Sequence, residues 1–357
     1  MMKPTLTKGW RLTGLLCTAL ILLITAACSG NNSSGEETGA DVPQGDITLV
    51  IGAYSVVKDA FADLLPKFKD KWKAETGQTI AFQESYEASG TQARAIAGGF
   101  EADVAVLAME GDIDKIQKAG FITHDWKQAL LHDGMITRSI AVLGTREGNP
   151  KDIHDWEDLT RDEIKVLYPN PKTSGGAQWD INAIYGAGLK KSEADTGKKD
   201  PAYAKAFLEK IHQNVESLDK SGRASMAAFE YGVGDVIVTY ENELIARINK
   251  GVQYEIVVPS TTILIENPAA VVDVNVDKHG TREAAEAFLA YLETPEAQLI
   301  FANHGFRPVD DAVMAEVKDR YQQPADLFDI HYLGGWDDVR KKLYSPKGIW
   351  YQVLAGL

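Results

Sequence analysis

The sequence predicts an α/β protein with mostly parallel sheets, folded as two lobes. Three observations carry that expectation. Apolar stretches of strand length alternate with stretches of helical periodicity from residue 47 to about residue 304. About 312 residues follow from Asp46 on, more than one hydrophobic core usually covers. Turns carrying Ser and Gly follow several strands, at the helix starts where open α/β sheets take their ligands.

In order along the chain, 47–53 reads as the first strand. Residues 57–74 read as a helix, because Phe61, Leu64, Leu65, Phe68 and Trp72 recur at helical spacing; Pro66 inside it is a site for a kink. A strand at 79–83, a helix at 90–98 and a buried strand at 103–108 follow. Next come a strand at 139–145, a short helix opening at Trp156 and a strand at 164–168. Helices are expected at 176–191, 202–212 and 224–231. A strand at 235–240 leads into a helix at 241–250, and strand-like stretches at 255–258 and 262–266 precede helices at 281–292 and 294–304. From Val313 on, Tyr321, Phe328, Tyr332 and Trp336 are expected to serve the core, with this stretch packed back on the first lobe.

The N-terminus speaks to location. Lys3, Lys8 and Arg11 precede an apolar run up to Ala27, the pattern of a signal peptide over 1–27 and not of a span kept in the finished protein. The run ends Thr25-Ala26-Ala27-Cys28, which resembles a bacterial lipobox, in which Cys28 would be freed by cleavage and acylated. Ordinary signal cleavage beside an incidental Cys is the alternative. Cys17 lies in the removed segment, so the mature domain would hold no disulfide and no Cys-based metal site. Residues 28–45 are rich in Gly, Ser, Asn and acids and read as a flexible tether.

The formal charge is −14, and losing the three cations of the signal segment takes the mature chain to about −17. Without a basic stripe, nucleic acid is excluded as a partner. Enzyme chemistry finds little support. The seven His show no metal-ligand spacing, and neither a phosphate-cradling Gly-x-x-x-x-Gly-Lys nor a Gly-x-Ser-x-Gly elbow occurs. Gly186-Ala187-Gly188 falls within a helical pattern and lacks a dinucleotide-binding context. Glu241 and Glu243 lie two apart after a strand and read as helix-start charge rather than an acid–base pair. No cofactor and no metal are expected.

The most informative run is Asn170-Pro171-Lys172-Thr173-Ser174-Gly175-Gly176-Ala177. It follows a strand and opens a helix, where free N–H groups and the positive end of the helix dipole suit a small anion. Ser89-Gly90, Ser55 after the first strand, and Ser221-Gly222 have the same character. Each alone also reads as a Ser that merely caps its helix. An acidic chain can still hold an anion, since local dipoles act at contact and the global field is screened beyond about 8–10 Å.

Here the chain resembles a known family, the periplasmic sulfate-binding proteins of ABC importers and their thiosulfate-binding relatives. The carriers are the Asn170–Ala177 run, Ser89-Gly90 with Gln92-Ala93-Arg94, Glu101-Ala102-Asp103-Val104, Gly234-Asp235-Val236 and Glu241-Asn242-Glu243. Residues 255–260, Ala270-Val271-Val272-Asp273, residues 277–282 and Gly334-Gly335-Trp336 complete the series. The resemblance implies a two-lobed, type II Venus-flytrap fold with the first lobe at 46–134 plus 262–357 and the second at 135–261. The connections would lie near 136–141 and 259–264. It implies sulfate held in the cleft by backbone N–H groups and Ser hydroxyls, delivery to importer membrane subunits, and a monomer. Carried onto matching positions, Ser89, Ser174, Gly175 and Gly176 would donate to the anion, Gly222 and Ser55 would offer backbone N–H groups, and Tyr240 would stand where the family has a Trp indole.

Departures bear on the ligand. The glycine pair that precedes the binding Ser in the family is Glu87-Ala88 here, and the first-strand signature is altered at Ala53-Tyr54-Ser55. Sulfate carries no proton at neutral pH and wants donors only, whereas phosphate keeps one and favours a carboxylate acceptor. Glu87 is expected to face solvent or a cleft rim, which leaves sulfate ahead of phosphate.

Overall fold

The computed structural model describes residues 45–356. The signal segment 1–27, the acylation of Cys28 and all but the last residue of the tether 28–45 lie outside the described residues. The strands are β1 (Ile47–Tyr54), β2 (Ile80–Glu87), β3 (Val104–Val106), β4 (Met135–Arg146), β5 (Val166–Leu167), β6 (Val215–Ser217), β7 (Val236–Tyr240), β8 (Tyr254–Val257), β9 (Thr261–Val271) and β10 (Asp326–Phe328). The helices around the site are α1 (Lys58–Thr76), α2 (Ser89–Ala97), α3 (Glu110–Lys118), α4 (Gly175–Thr196), α5 (Pro201–His212), α6 (Gly222–Glu230) and α7 (Glu241–Ile248).

The strands join in the order β2-β1-β3-β9-β4-β7-β5-β6, with β10 on β9 and β8 on β4. The flanks are parallel: β1 pairs with β2 over its whole length and with β3, and β5 pairs with β6 and β7. The middle is antiparallel. β9 pairs with β3 near its end, where Val271 faces Val104, and with β4 further back, where Asn267 faces Thr137. β4 then continues into pairing with β7, where Ala141 faces Tyr240. The expectation of mostly parallel sheets thus holds for the flanks, while the two long middle strands β4 and β9 run against each other and against β3, β7 and β8, and β9 is parallel only to β10. The segments expected to connect the lobes fall in β4 and at the entry to β9.

Local chemistry explains the elements. In β1, Leu49, Ile51 and Ala53 are fully buried, and α1 covers them with Phe61, Leu64, Leu65, Phe68 and Trp72. Phe68 sits 5.2 Å from Phe288 and 5.6 Å from Tyr291, ring centre to ring centre. Burying each such side chain contributes about 1.5–3 kcal/mol. Pro66 lies on the exposed side of α1, which runs unbroken from Lys58 to Thr76. β2 ends four residues later than its sequence suggests, because pairing with β1 holds the polar Glu84–Glu87 stretch extended. α3 escaped the periodicity reading; its EGDIDKIQK sequence offers only Ile113 and Ile116 to the core.

The C-terminal stretch corrects an expectation. Tyr321 is buried against Ala302 and donates to the Phe306 carbonyl at 2.5 Å, but the aromatics from Phe328 on, with Tyr332 only half-buried, pack on α4 and α5 rather than on the β1–β3 flank. Trp336 meets Trp179 edge-on at 4.8 Å, the Tyr344 hydroxyl donates to the Gln178 carbonyl at 3.0 Å, and Trp350 lies 5.1 Å from His212. The reason lies in α4, which is buried nearly all round and needs cover on every side. Gly186 in mid-helix serves the same packing: a Cβ there would stand 2.2 Å from the Phe328 ring.

Candidate functional site

Five chain segments that leave strands and enter helices end at one place. After β1, Ser55–Val57 forms a 3-10 turn leading into α1. After β2, Ala88 is the cap of α2. Ser174 caps α4, Ser221 caps α6, and Tyr240, the last residue of β7, is the cap of α7. Together they line one small enclosed cavity with Tyr54, Ser55, Val56, Ser89, Ala108, Pro169, Gly176, Asp180, Gly222, Thr239 and Glu243. The cavity leaves about 20 Å³ open to the centre of a water-sized sphere. A single water needs about 10–15 Å³ on that measure, so the space is on the scale of one small ion.

Helix starts leave their first N–H groups without intrahelical partners, and their dipoles turn positive ends toward the cavity. Ser174 is a true cap: its hydroxyl oxygen accepts from the Ala177 N–H at 3.2 Å. Ser221 does the same for Ala224 at 3.2 Å. Capping uses the oxygen and not the proton, so the capping reading and the binding reading are compatible in Ser174. Gly176 has no Cβ where one would stand 3.3 Å from the Ser174 hydroxyl and 3.5 Å from the Tyr240 ring. The Tyr240 hydroxyl is buried and meets no partner among the described residues; burial pushes its pKa well up, so it remains a donor.

Two of the expected site residues differ from expectation in detail. The Ser89 hydroxyl donates to Asp112 Oδ2 at 2.6 Å and accepts from the Ala108 N–H at 2.9 Å. Its single proton is therefore directed away from the cavity, and the backbone N–H at the start of α2 is what Ser89 has left to offer an anion. Gly175 stands outside the lining. A Cβ on it would come within 3.0 Å of the Ala108 Cβ and 3.3 Å of the Ser89 Cβ, so this glycine lets the start of α4 close on α2 and α3.

Three carboxyl groups near the site were missed or misjudged in the sequence. Asp180 is buried, lines the cavity, and meets neither a hydrogen bond nor an ion pair among the described residues. Burial pushes its pKa well above the usual carboxylate range. Its signal was available: it lies four residues after Gly176, on the same helix face. Glu243, read as helix-start charge, lines the cavity and lies 3.5 Å from Arg223 and 3.4 Å from Arg247. Asp112 stands behind Ser89 and pairs with Lys115 at 2.5 Å. Glu241 is held by Arg307 at 2.7 Å and lies outside the lining. Glu87 is exposed and also outside the lining.

Contacts across the cavity hold it shut. The Arg94 guanidinium donates to the Lys172 carbonyl at 3.3 Å, and Trp179 Nε1 donates to the Ala108 carbonyl at 2.7 Å. Arg223 reaches the Ser55 and Val56 carbonyls, both at 3.4 Å, and Asp59 at 3.3 Å. Lys250 also meets Asp59, at 2.9 Å.

Residues 49–307 match the bacterial extracellular solute-binding protein family. The chain is 41% identical over 346 residues to a sulfate-binding protein of Synechococcus elongatus, covering 96% of this chain and 95% of that one. The chain belongs to this family of solute-binding proteins. A thiosulfate-binding protein of Escherichia coli is 36% identical over 313 residues, covering 86% of this chain and 91% of its own. The structure superimposes on the sulfate-binding protein SubI of Mycobacterium tuberculosis with a TM-score of 0.77 and 35% identity, over 84% of this chain and all of that one. The fold of this solute-binding protein is the type II periplasmic binding fold, as expected from the sequence. Among its described residues no helix is long and apolar enough to cross a membrane.

Proposed function

We propose that this protein captures sulfate, or thiosulfate, between two lobes and hands it to the membrane subunits of an ABC importer. The observation that carries the reading is the convergence of five helix starts, with their free N–H groups, on one ion-sized cavity in a member of a family with sulfate-binding relatives. The donors are the backbone N–H groups of Ser55, Ser89, Gly176 and Gly222, the Ser174 hydroxyl and the Tyr240 hydroxyl, with Gly175 adding its N–H from behind. Hydrogen bonds to a charged group contribute roughly 1.5–3 kcal/mol each. Four or five of them, offset by the cost of association, leave about 7–9 kcal/mol, or roughly micromolar dissociation. The anion bridges donors on both lobes and so favours the closed form, which the importer reads. The protein binds and releases its ligand unchanged, as a monomer held outside the cytoplasm by acylated Cys28.

Calorimetric titration of the chain beginning after Cys28, with sulfate and then phosphate at neutral pH, tests the reading. Micromolar sulfate binding with silent phosphate supports it. A second reading, a site for a protonated oxyanion such as hydrogen phosphate, is favoured by Asp180 and Glu243 in the lining. Phosphate binding with weak sulfate would establish that second reading instead.

A further inference from the structure

We infer that Asp180 is itself an anion ligand, acting as a neutral carboxylic acid that donates its proton to an oxygen of the bound dianion and thereby selects against anions that carry their own proton. The inference rests on the oxyanion reading and deepens it.

Asp180 is 1% exposed, and its Oδ1 is fully buried without a partner. Side chains in a helix lean back toward its N-terminus, so the carboxyl lies over the preceding turn, where Gly176 leaves room. The ionisable groups around it supply no cation. On its own helix the lysines are Lys190 and Lys191, more than two turns further on and paired with Asp326 and Glu157. From the segment after β5, the Tyr168 hydroxyl is engaged with His212 Nδ1 at 2.6 Å. From the C-terminal stretch, the Tyr344 hydroxyl is engaged with the Gln178 carbonyl at 3.0 Å and Asn182 Oδ1 at 2.9 Å. From β7 comes the unpartnered Tyr240 hydroxyl. Across the cavity, Arg223 is shared between Glu243 and Asp59, Arg247 between Glu243 and Glu230, and Lys115 pairs with Asp112.

An ionised Asp180 would thus be a buried charge without a partner, in a lining it shares with Glu243 and facing the dianion. The neutral acid removes that repulsion and adds an O–H donor, the kind that makes short, strong bonds to an oxyanion. Burial moves its proton affinity in the same direction. Hydrogen phosphate would bring a proton of its own to a wall that already donates, so one donor would be left without an acceptor. The linkage has a definite sign. Where the free protein has Asp180 ionised, each sulfate bound takes up one proton, and affinity falls tenfold per pH unit; where it is already protonated, affinity is flat.

The test compares infrared spectra of the sulfate-saturated mature protein and its Asp180→Asn variant at neutral pH. A neutral carboxylic C=O band present in the wild type and missing in Asp180→Asn is expected. In calorimetry, Asp180→Asn, which keeps a neutral donor, should hold sulfate about as tightly as wild type, and Asp180→Ala should lose about tenfold to a hundredfold. Sulfate binding without that band would overturn the inference and leave the transport reading standing. So would a wild type that prefers phosphate with an Asp180→Asn variant that prefers sulfate, since the carboxylate would then be an acceptor. A wild type that binds no oxyanion at all would sink the oxyanion reading, and this inference with it.

Discussion

Two Ser–Gly turns open helices on the same cavity, yet they use their hydroxyls in opposite ways. Ser174 caps α4 with its oxygen and gives its proton to no group among the described residues. Ser89, in a near-identical local sequence, is no cap: Ala88 holds that position, and the Ser89 proton goes to the fully buried Asp112. The difference comes from α3, which brings Asp112 behind one turn and not the other. A local motif therefore states what a residue can donate, and its tertiary neighbours state where the donation goes.

Substitutions can break or sharpen this contrast. Ser174→Ala should have the largest effect on binding, a loss of roughly 1.5–3 kcal/mol in sulfate affinity by calorimetry, together with about 1 kcal/mol of stability from the lost cap. Ser89→Ala should do the reverse. It leaves Asp112 with one fewer donor and costs about 1–3 kcal/mol in denaturant unfolding, while affinity changes little because the backbone N–H remains. Equal affinity losses in the two variants would erase the distinction. Tyr240→Phe removes the buried, unpartnered hydroxyl proposed as a donor and should weaken sulfate by about 1.5 kcal/mol; unchanged affinity would remove Tyr240 from the site. Glu87→Gln, one residue before the α2 cap, should leave both affinity and melting temperature where they are, because Glu87 is exposed and outside the lining.

Much of the site was legible because its residue types have local causes. Ser, Gly and strand-to-helix transitions announce helix starts, and six of the seven expected ligand residues line the cavity. Gly175 falls outside the lining because the contact it permits, with Ala108 and Ser89, is made by segments far away in sequence. Asp180 was passed over although its place four residues after Gly176 puts it on the same helix face, because its burial without a cation is set by neighbours distant in sequence. Glu243 was misjudged for a related reason: a helix-start acid is ordinarily solvated, and only Arg223 and Arg247 hold this one at the cavity wall.

Composition and periodicity by themselves determined that this is an α/β protein with Ser–Gly turns at its helix starts, since alternation, capping and glycine placement act over a few residues. The ordered motifs, the Asn170–Ala177 run above all, gave the resemblance that its relatives bear out. Only the tertiary structure decided three further matters. The sheet's middle is antiparallel, because β4 and β9 must each pair on both sides. The C-terminal aromatics cover α4, because that helix is apolar nearly all round. And the cavity wall carries two carboxyl groups, Glu243, held by Arg223 of α6 as well as by Arg247 of its own helix, and Asp180, with no cation. Charge pairing and burial are properties of neighbours in space, and no stretch of sequence contains them.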